Sequence, residues 1–315
     1  MKSLHKVLIL FLIILIVTGC SSSDGGSSAA SSTASKPDPG QSESKPDTHY
    51  EVPEYAEAVF NEEAAEGEGD VMIDLSSVAD GYVAVSAVSE NRLKFQVITD
   101  ETYNYDMEND GTPSIFPLQS GDGEYSFRVM ENIADNKYAA LYETSAEVVL
   151  KDEFQPYIRS NDYVSYNKNS NCVKLASDFA SGAADAMDLI NQVFSYVCEN
   201  IVYDQSKAEA VETGYIPDPD ETLSSKKGIC FDYASLTAAM FRSQGIPTKV
   251  IFGYVSPNNL YHAWNMIYTT EQGWIVAEFK MDQNDWNRVD LTFSANGADA
   301  DFIGDGSNYT GIYQY

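Results

Sequence analysis

The chain has 315 residues, which is enough for one large or two ordinary domains. Its 19 basic and 48 acidic residues give a formal net charge of −29, so its surface repels nucleic acid and anionic polymers and attracts cations and amines. Nucleic-acid binding is therefore excluded as a function, and the simplest interpretation of the charge is solubility.

The first 19 residues contain two lysines, an apolar core from Val7 to Val17 and small residues before Cys20. The core is too short for a comfortable bilayer crossing, and the small residues are typical of a cleavage site. The segment resembles a bacterial lipoprotein signal with Val17-Thr18-Gly19-Cys20 as the lipobox. Cleavage would leave Cys20 as the lipidated first residue; the alternative is an uncleaved anchor helix. Both place the rest of the chain outside the cytoplasm, anchored to the cell membrane.

Residues 20–48 are rich in Ser, Gly and Pro and have almost no large apolar side chains, which predicts a disordered tether. Residues 49–160 predict a β-rich accessory domain, a small antiparallel β-sandwich, because short alternating runs are separated by Gly, Asn and Asp. The segment from Asp106 to Gly111 suggests a calcium loop. The last ligand position would fall on Pro117, however, so a turn is expected instead.

Residues 161–315 predict an α+β domain. Apolar residues recur at helical spacing from Met187 to Ile201, and Cys198 borders this stripe. In an exported chain Cys198 could form a disulfide with Cys172. The alternative is that each cysteine is a small buried apolar residue.

Cys230 lies at the start of a predicted helix. Ser224, Ser225 and Gly228 precede it, and Gly245-Ile246-Pro247 ends the helix. Unpaired N–H groups and the helix dipole favour a thiolate in the first turn. Strong activation of a thiol would also require an imidazolium partner.

His262 is the one histidine in a folded context, since His5 lies in the signal and His49 ends the tether. It belongs to an apolar alternating run that predicts a strand, and residues 248–255 predict the strand before it. A helix that carries a cysteine, followed by strands that carry a histidine, is a workable arrangement for a Cys–His pair.

Three motifs carry a family resemblance: Gly-Ile-Cys-Phe-Asp-Tyr-Ala around Cys230, His-Ala-Trp-Asn at His262, and a later Trp-x-x-x-Asp. In this order the chain resembles the transglutaminase-like superfamily over about residues 165 to 315. The resemblance implies a papain-like fold with a Cys-His-Asp triad, with Cys230 as nucleophile and His262 as base. Tyr203, in the lead-in segment, is by analogy a candidate donor to the oxyanion.

The third member of the triad has two candidates. Trp286 followed by Asp290 and Leu291-Thr292 matches the Trp-x-x-x-Asp-x-Thr pattern of the family, and Trp274 followed by Glu278 is the alternative. Two alternating runs around residues 282–285 predict a hairpin that carries both carboxylates. Motif context favours Asp290.

The sequence thus predicts a lipid-anchored thiol acyl-transfer enzyme that acts on peptide or side-chain amides of a cell-wall or host protein. Hydrolysis is favoured over cross-linking, and no metal or cofactor is needed. The alternative is a non-catalytic binding or adhesion lipoprotein that retains the fold.

Overall fold

A computed structural model describes residues 49–255, 260–282, 285–295 and 309–315. The signal, the tether and the lipidation site Cys20 lie outside these residues and stay predictions. Within the described ranges, none of the helices combines the length and the apolar character that a membrane crossing requires.

The N-terminal part consists of two antiparallel four-stranded sheets, with strand orders β1-β2-β3-β6 and β5-β4-β7-β8. Buried and partly buried residues alternate along β4, as the period-two pattern predicted. The strands are β1 (Glu66–Glu68), β2 (Val71–Asp74), β3 (Tyr82–Ala87), β4 (Leu93–Ile98), β5 (Thr102–Met107), β6 (Ser114–Pro117), β7 (Gly123–Ala134) and β8 (Lys137–Val148).

Aromatic side chains join the two sheets. The fully buried Phe95 of β4 stacks on Phe116 of β6 with 4.7 Å between ring centroids, and Tyr105 of β5 lies at the same distance from Phe116. Such rings combine large apolar area with a specific geometry, so they stabilise the pairing of the sheets. Asp106 belongs to β5, and the loop that was predicted there as a turn follows that strand.

The helices follow the N-terminal sheets. They are α1 (Asn171–Gly182), α2 (Ala186–Asn200), α3 (Gln205–Ala210), α4 (Pro219–Ser225) and α5 (Cys230–Arg242). Helix α2 confirms the predicted stripe, and Asp185 caps it by accepting a hydrogen bond from the Asp188 N–H at 2.9 Å. Helix α5 begins at Cys230 as predicted, but Ser224 and Ser225 end α4 rather than start α5.

The C-terminal sheet is antiparallel, with strand order β14-β13-β12-β11-β15. Its strands are β11 (Thr248–Val255), β12 (Leu260–Thr269), β13 (Gly273–Asp282), β14 (Asp285–Ala295) and β15 (Tyr309–Gln314), and β9 (Val202–Tyr203) pairs separately with β10 (Lys227–Gly228). The pairing of β13 with β14 confirms the predicted hairpin. Helix α5 packs on β11 and β12, and the Asn265 side chain of β12 donates to the Ala234 carbonyl of α5 at 3.0 Å.

A buried arginine links the end of α5 to three other segments of the chain. Arg242, at the end of α5, is 1% exposed and donates to the carbonyls of Arg159, Thr248 and Tyr315 at 2.8–2.9 Å. These bonds compensate the cost of burying the guanidinium. The described residues from His49 onward belong to one compact unit with a continuous hydrophobic core. The proposed domain boundary after residue 160 stays a prediction.

Candidate active site

The nucleophile candidate is the first residue of α5. Ile229 is the N-cap, and its N–H donates to the Asp232 carboxylate at 2.7 Å, which fixes the first turn of the helix. Cys230 is only half-buried, so solvent has access to it, and it belongs to the helix end whose N–H groups have no partner within the helix. A Cβ on Gly228 would come within 2.5 Å of the Asp232 Cβ, so the chain before Cys230 requires glycine.

A buried ionic cluster stabilises the first turn of α5. Asp232 is fully buried and forms an ion pair with Lys207 of α3 at 3.0 Å. The Tyr215 hydroxyl donates to Asp232 and accepts from Lys207 at 2.6 Å. Burial, together with the hydrogen bond to Asp232, raises the pKa of Tyr215 well above its usual range. The cluster therefore joins α3 and the segment after it to the start of α5.

Asp232→Asn should lower the free energy of unfolding by about 3 kcal/mol, because it leaves a partly buried lysine without its counter-charge. Urea denaturation of the full chain measures this loss. Glu143→Gln is the matched control, since it breaks the exposed Arg128–Glu143 pair (2.8 Å) and should change stability by less than about 0.5 kcal/mol. Equal effects of the two changes would contradict a stabilising role for the buried cluster.

Cys230, His262 and Tyr203 line one cleft of about 730 Å³. His262 lies on β12 and is 7% exposed, so its imidazole is largely shielded from water. Because α5 packs directly on β12, the fold holds the helix that begins with the cysteine against the strand that carries the histidine. The predicted residues thus come from three separate elements to the same cleft.

Tyr203 lies beside the segment that leads into Cys230. Strand β9 pairs in parallel with β10, which sets Tyr203 opposite Gly228, and the Asp204 N–H donates to the Gly228 carbonyl at 2.9 Å. Burial, and then the negative charges of Cys230 and Asp232, raise the pKa of Tyr203 to about 12. Its hydroxyl is therefore protonated at neutral pH and can donate a hydrogen bond.

The two candidate carboxylates lie on different strands of the hairpin, and their side chains are outside the description. Glu278 belongs to β13, which is hydrogen-bonded to β12, and its neighbour Ala277 pairs with Asn265. Asp290 belongs to β14, pairs with Lys280, and is separated from β12 by β13. Neighbouring strands lie about 4.8 Å apart, so the backbone of Asp290 is one strand spacing farther from the histidine strand. Motif context favours Asp290, whereas strand order favours Glu278.

No disulfide joins Cys172, Cys198 or Cys230 in the described structure, so the possible Cys172–Cys198 disulfide is not formed in it. Cys172 lies in the first turn of α1, where its N–H and that of Asn171 each donate to Asp220 at 2.8 Å. Burial, and then the charge of Asp220, raise the pKa of the Cys172 thiol well above its usual range. Its environment is therefore that of an unreactive structural cysteine.

The cleft also contains residues that sequence analysis missed. One wall belongs to the N-terminal sheet β5-β4-β7-β8, and another to the segment after α3. The additional residues include Lys94, Asn104, Asp106, Tyr163, Val211, Glu212, Tyr215, Ile216, Phe231, Phe252, Tyr261, Tyr313 and Tyr315. These residues meet through contacts between segments distant in sequence, which no local pattern encodes.

Comparison with protein-family models matches residues 173–291 to the transglutaminase-like superfamily. Among curated proteins, the UPF0252 protein MJ1282 of Methanocaldococcus jannaschii is 32% identical over 111 residues, which are 34% of this chain and 30% of that protein. The uncharacterized protein YebA of Bacillus subtilis is 24% identical over 198 residues, which are 54% of this chain and 26% of that protein. The chain thus spans about a third or less of the length of these relatives.

Two solved structures are also similar. A "Putative Cysteine Protease" from Cytophaga hutchinsonii has a TM-score of 0.36 and 16% identity, over 73% of this chain and 89% of that one. Red sea bream transglutaminase has a TM-score of 0.27 and 12% identity, over 62% of this chain and 47% of that one. Similarity this weak carries no information about activity or substrate.

Proposed function

We propose that the transglutaminase-like domain of residues 173–291 gives this protein a thiol acyl-transfer activity on amides. One observation carries the proposal: a half-buried cysteine at a helix start and a largely buried histidine line the same cleft. A nucleophile and a base that share one site are the requirement for covalent acyl transfer.

The chemistry begins with the Cys230 sulfur, whose thiolate attacks the carbon of a carboxamide. The negative charge that develops on the carbonyl oxygen is stabilised by the Cys230 N–H and the Tyr203 hydroxyl. The C–N bond then breaks, and the imidazolium of His262 gives its proton to the leaving amine. A thioester remains on Cys230.

A second acceptor resolves the thioester. Water, deprotonated by His262, attacks the thioester carbon, releases the carboxylic acid and returns the proton to the His262–Cys230 pair. Attack by a lysine amine instead would give an isopeptide bond. We favour hydrolysis because Cys230 is only half-buried, so water reaches the thioester without a dedicated channel.

A carboxylate completes the site by accepting the second N–H of His262, which fixes the tautomer and stabilises the imidazolium. Strand order supports Glu278 in this role, because it lies on the strand adjacent to β12. Asp290 is the alternative that motif context supports.

The test is trapping of the intermediate. The full chain is mixed with short peptides that contain a glutamine carboxamide, and the reaction is quenched in acid and examined by mass spectrometry for a thioester at Cys230. Released ammonia reports turnover, and added alkylamine separates hydrolysis from transfer. Cys230→Ala should abolish both the thioester and the ammonia. Absence of a thioester and of turnover in the unmodified chain, across peptide amides, would favour a non-catalytic binding protein.

We also propose an extracytoplasmic location with a lipid anchor at Cys20, on the basis of the lipobox-like sequence. The full chain should partition with membranes into detergent, and Cys20→Ala should leave it unprocessed or release it from the membrane fraction. Fractionation followed by immunoblotting measures both outcomes. Normal processing and anchoring of the Cys20→Ala protein would contradict the proposal.

A further inference from the structure

The cleft presents apolar side chains that the rest of the described chain leaves partly exposed. Val211 and Ile216 are 39% and 38% exposed, and Tyr261 and Tyr313 are 54% and 45% exposed. All four line the cleft that contains Cys230. Exposed apolar groups concentrated in one concave site, with polar groups around them, are typical of ligand-binding grooves.

The cleft is also lined by aromatic side chains that are packed tightly against one another. Tyr163 and Tyr315 stack in parallel with 4.2 Å between ring centroids, and Phe231 packs edge-on against Phe252 at 4.7 Å. Tyr315 and Phe231 are only 7% and 8% exposed, so packing fixes their positions before any ligand binds. A preformed apolar surface loses little conformational entropy when a ligand side chain settles on it.

The N-terminal sheet forms the opposite wall. Lys94 of β4 and Asp106 of β5 form an ion pair at 2.6 Å, and Asn104 of β5 lies two residues from Asp106 on the same face. The segment after α3 reaches this wall, because a Cβ on Gly214 would lie 3.4 Å from the Asp106 carboxylate. The φ of Gly214 is +88°, which favours glycine and allows this close approach.

The charges around the cleft are mostly compensated. Lys94 is paired with Asp106 and Lys207 with Asp232, whereas the exposed Glu212 has no ion-pair partner among the described residues. The rim is therefore slightly negative, on a chain whose overall charge is −29. It disfavours an acidic ligand and accepts a neutral or basic one.

We infer that the N-terminal sheet is part of the substrate site, and that the cleft selects peptides with an aromatic or large aliphatic side chain beside the reacting carboxamide. This inference rests on the proposed function for the identity of the reacting group. A peptide fits better than a glycan, because the branched aliphatic side chains Val211 and Ile216 pack against apolar groups and offer nothing to sugar hydroxyls. Acidic residues beside the carboxamide are selected against.

The inference is tested by binding, separately from catalysis. The full chain with Cys230→Ala is titrated into fluorescent glutamine peptides that differ only in the preceding residue, which is Phe, Leu, Ala or Glu, and the dissociation constant is measured by anisotropy. The Phe and Leu peptides should bind about tenfold more tightly than the Ala peptide, as expected for partial burial of a large side chain. The Glu peptide should bind most weakly.

Matched variants locate the subsite, which is the part of the cleft that binds the residue preceding the glutamine. In the same background Ile216→Ala should reduce the Phe-to-Ala ratio to about threefold or less, because it removes apolar contact area. Ile133→Ala is its control, since Ile133 is 62% exposed and lies outside the cleft. Asn104→Arg should strengthen binding of the Glu peptide about two- to fivefold, as an exposed ion pair would. Asn91→Arg is the control and should not strengthen this binding, since Asn91 is an exposed residue just before β4.

The outcomes separate the inference from the proposed function. Selective binding of the Phe and Leu peptides, without turnover by the unmodified chain, would contradict the proposed enzyme activity and support the subsite. Turnover with equal affinity for Phe and Ala peptides would overturn the subsite alone. An effect of Ile133→Ala equal to that of Ile216→Ala, or no effect of Asn104→Arg, would overturn the assigned location. Competition of cellohexaose with the Phe peptide would show that the groove takes a glycan.

Discussion

At slightly acidic pH, iodoacetamide should alkylate Cys230 at least about tenfold faster than Cys172 or Cys198. An ordinary thiol with a pKa near 8.5 is about 0.3% thiolate at about pH 6. A cysteine paired with an imidazolium is mostly thiolate there, although a stabilised thiolate is also a weaker nucleophile. The net gain is therefore smaller than the ratio of thiolate fractions. Burial works against Cys172, since it raises the pKa of that thiol.

The measurement is the rate of labelling at each cysteine of the full chain, followed by peptide mass spectrometry. His262→Ala should remove the preference for Cys230, because the imidazolium that stabilises the thiolate is lost. His49→Ala is the matched control, since His49 is exposed and is not part of the cleft. Similar labelling rates at all three cysteines of the unmodified chain would indicate that Cys230 is structural.

The helices and strands that were predicted well from the sequence are those in which apolar residues recur with a regular spacing. Buried Leu93, Phe95 and Val97 alternate along β4, and the apolar stripe of α2 follows the helical repeat, so each pattern specifies its element. Helix α5 was predicted for a different reason, namely its start and stop signals. It is buried on every side from Phe231 to Arg242, so amphipathic spacing could not show which face meets the sheet.

The elements that sequence missed lack such signals. Strand β15 lies beside β11 although more than fifty residues separate the two along the chain, and nothing local in Tyr309–Gln314 indicates that partner. The same holds for the cleft. Cys230 and His262 were predicted because a cysteine at a helix start and a scarce histidine are conspicuous, whereas Val211, Asn104 and Tyr313 become site residues only when the sheets pack. The candidate nucleophile and base are therefore readable from sequence, whereas the residues that form the walls of the cleft are not.

Motif context and sheet topology disagree about which carboxylate would orient His262. The Trp-x-x-x-Asp-x-Thr context favours Asp290, but the sheet places β13 between the Asp290 strand and β12. A triad carboxylate has to accept a hydrogen bond from the imidazole at about 2.6–3.2 Å. Glu278 lies one strand spacing of about 4.8 Å from β12 and is offset along the strand from His262, because Ala277 pairs with Asn265, whereas Asp290 lies two strand spacings from β12 and has a shorter side chain.

We therefore expect Glu278→Gln to lower amide turnover and Cys230 labelling by about 10²–10⁴-fold with folding intact, because the amide keeps the size but supports the wrong imidazole tautomer. Asp290→Asn should cost less than about tenfold, as a change outside the hydrogen-bonded triad usually does. Each variant serves as the control for the other, and thermal melting of both reports whether the hairpin stays folded. If Asp290→Asn is the crippled variant and Glu278→Gln is nearly unaffected, the motif identified the acid correctly. In that case β14 would have to approach His262 more closely than the strand order β14-β13-β12 allows.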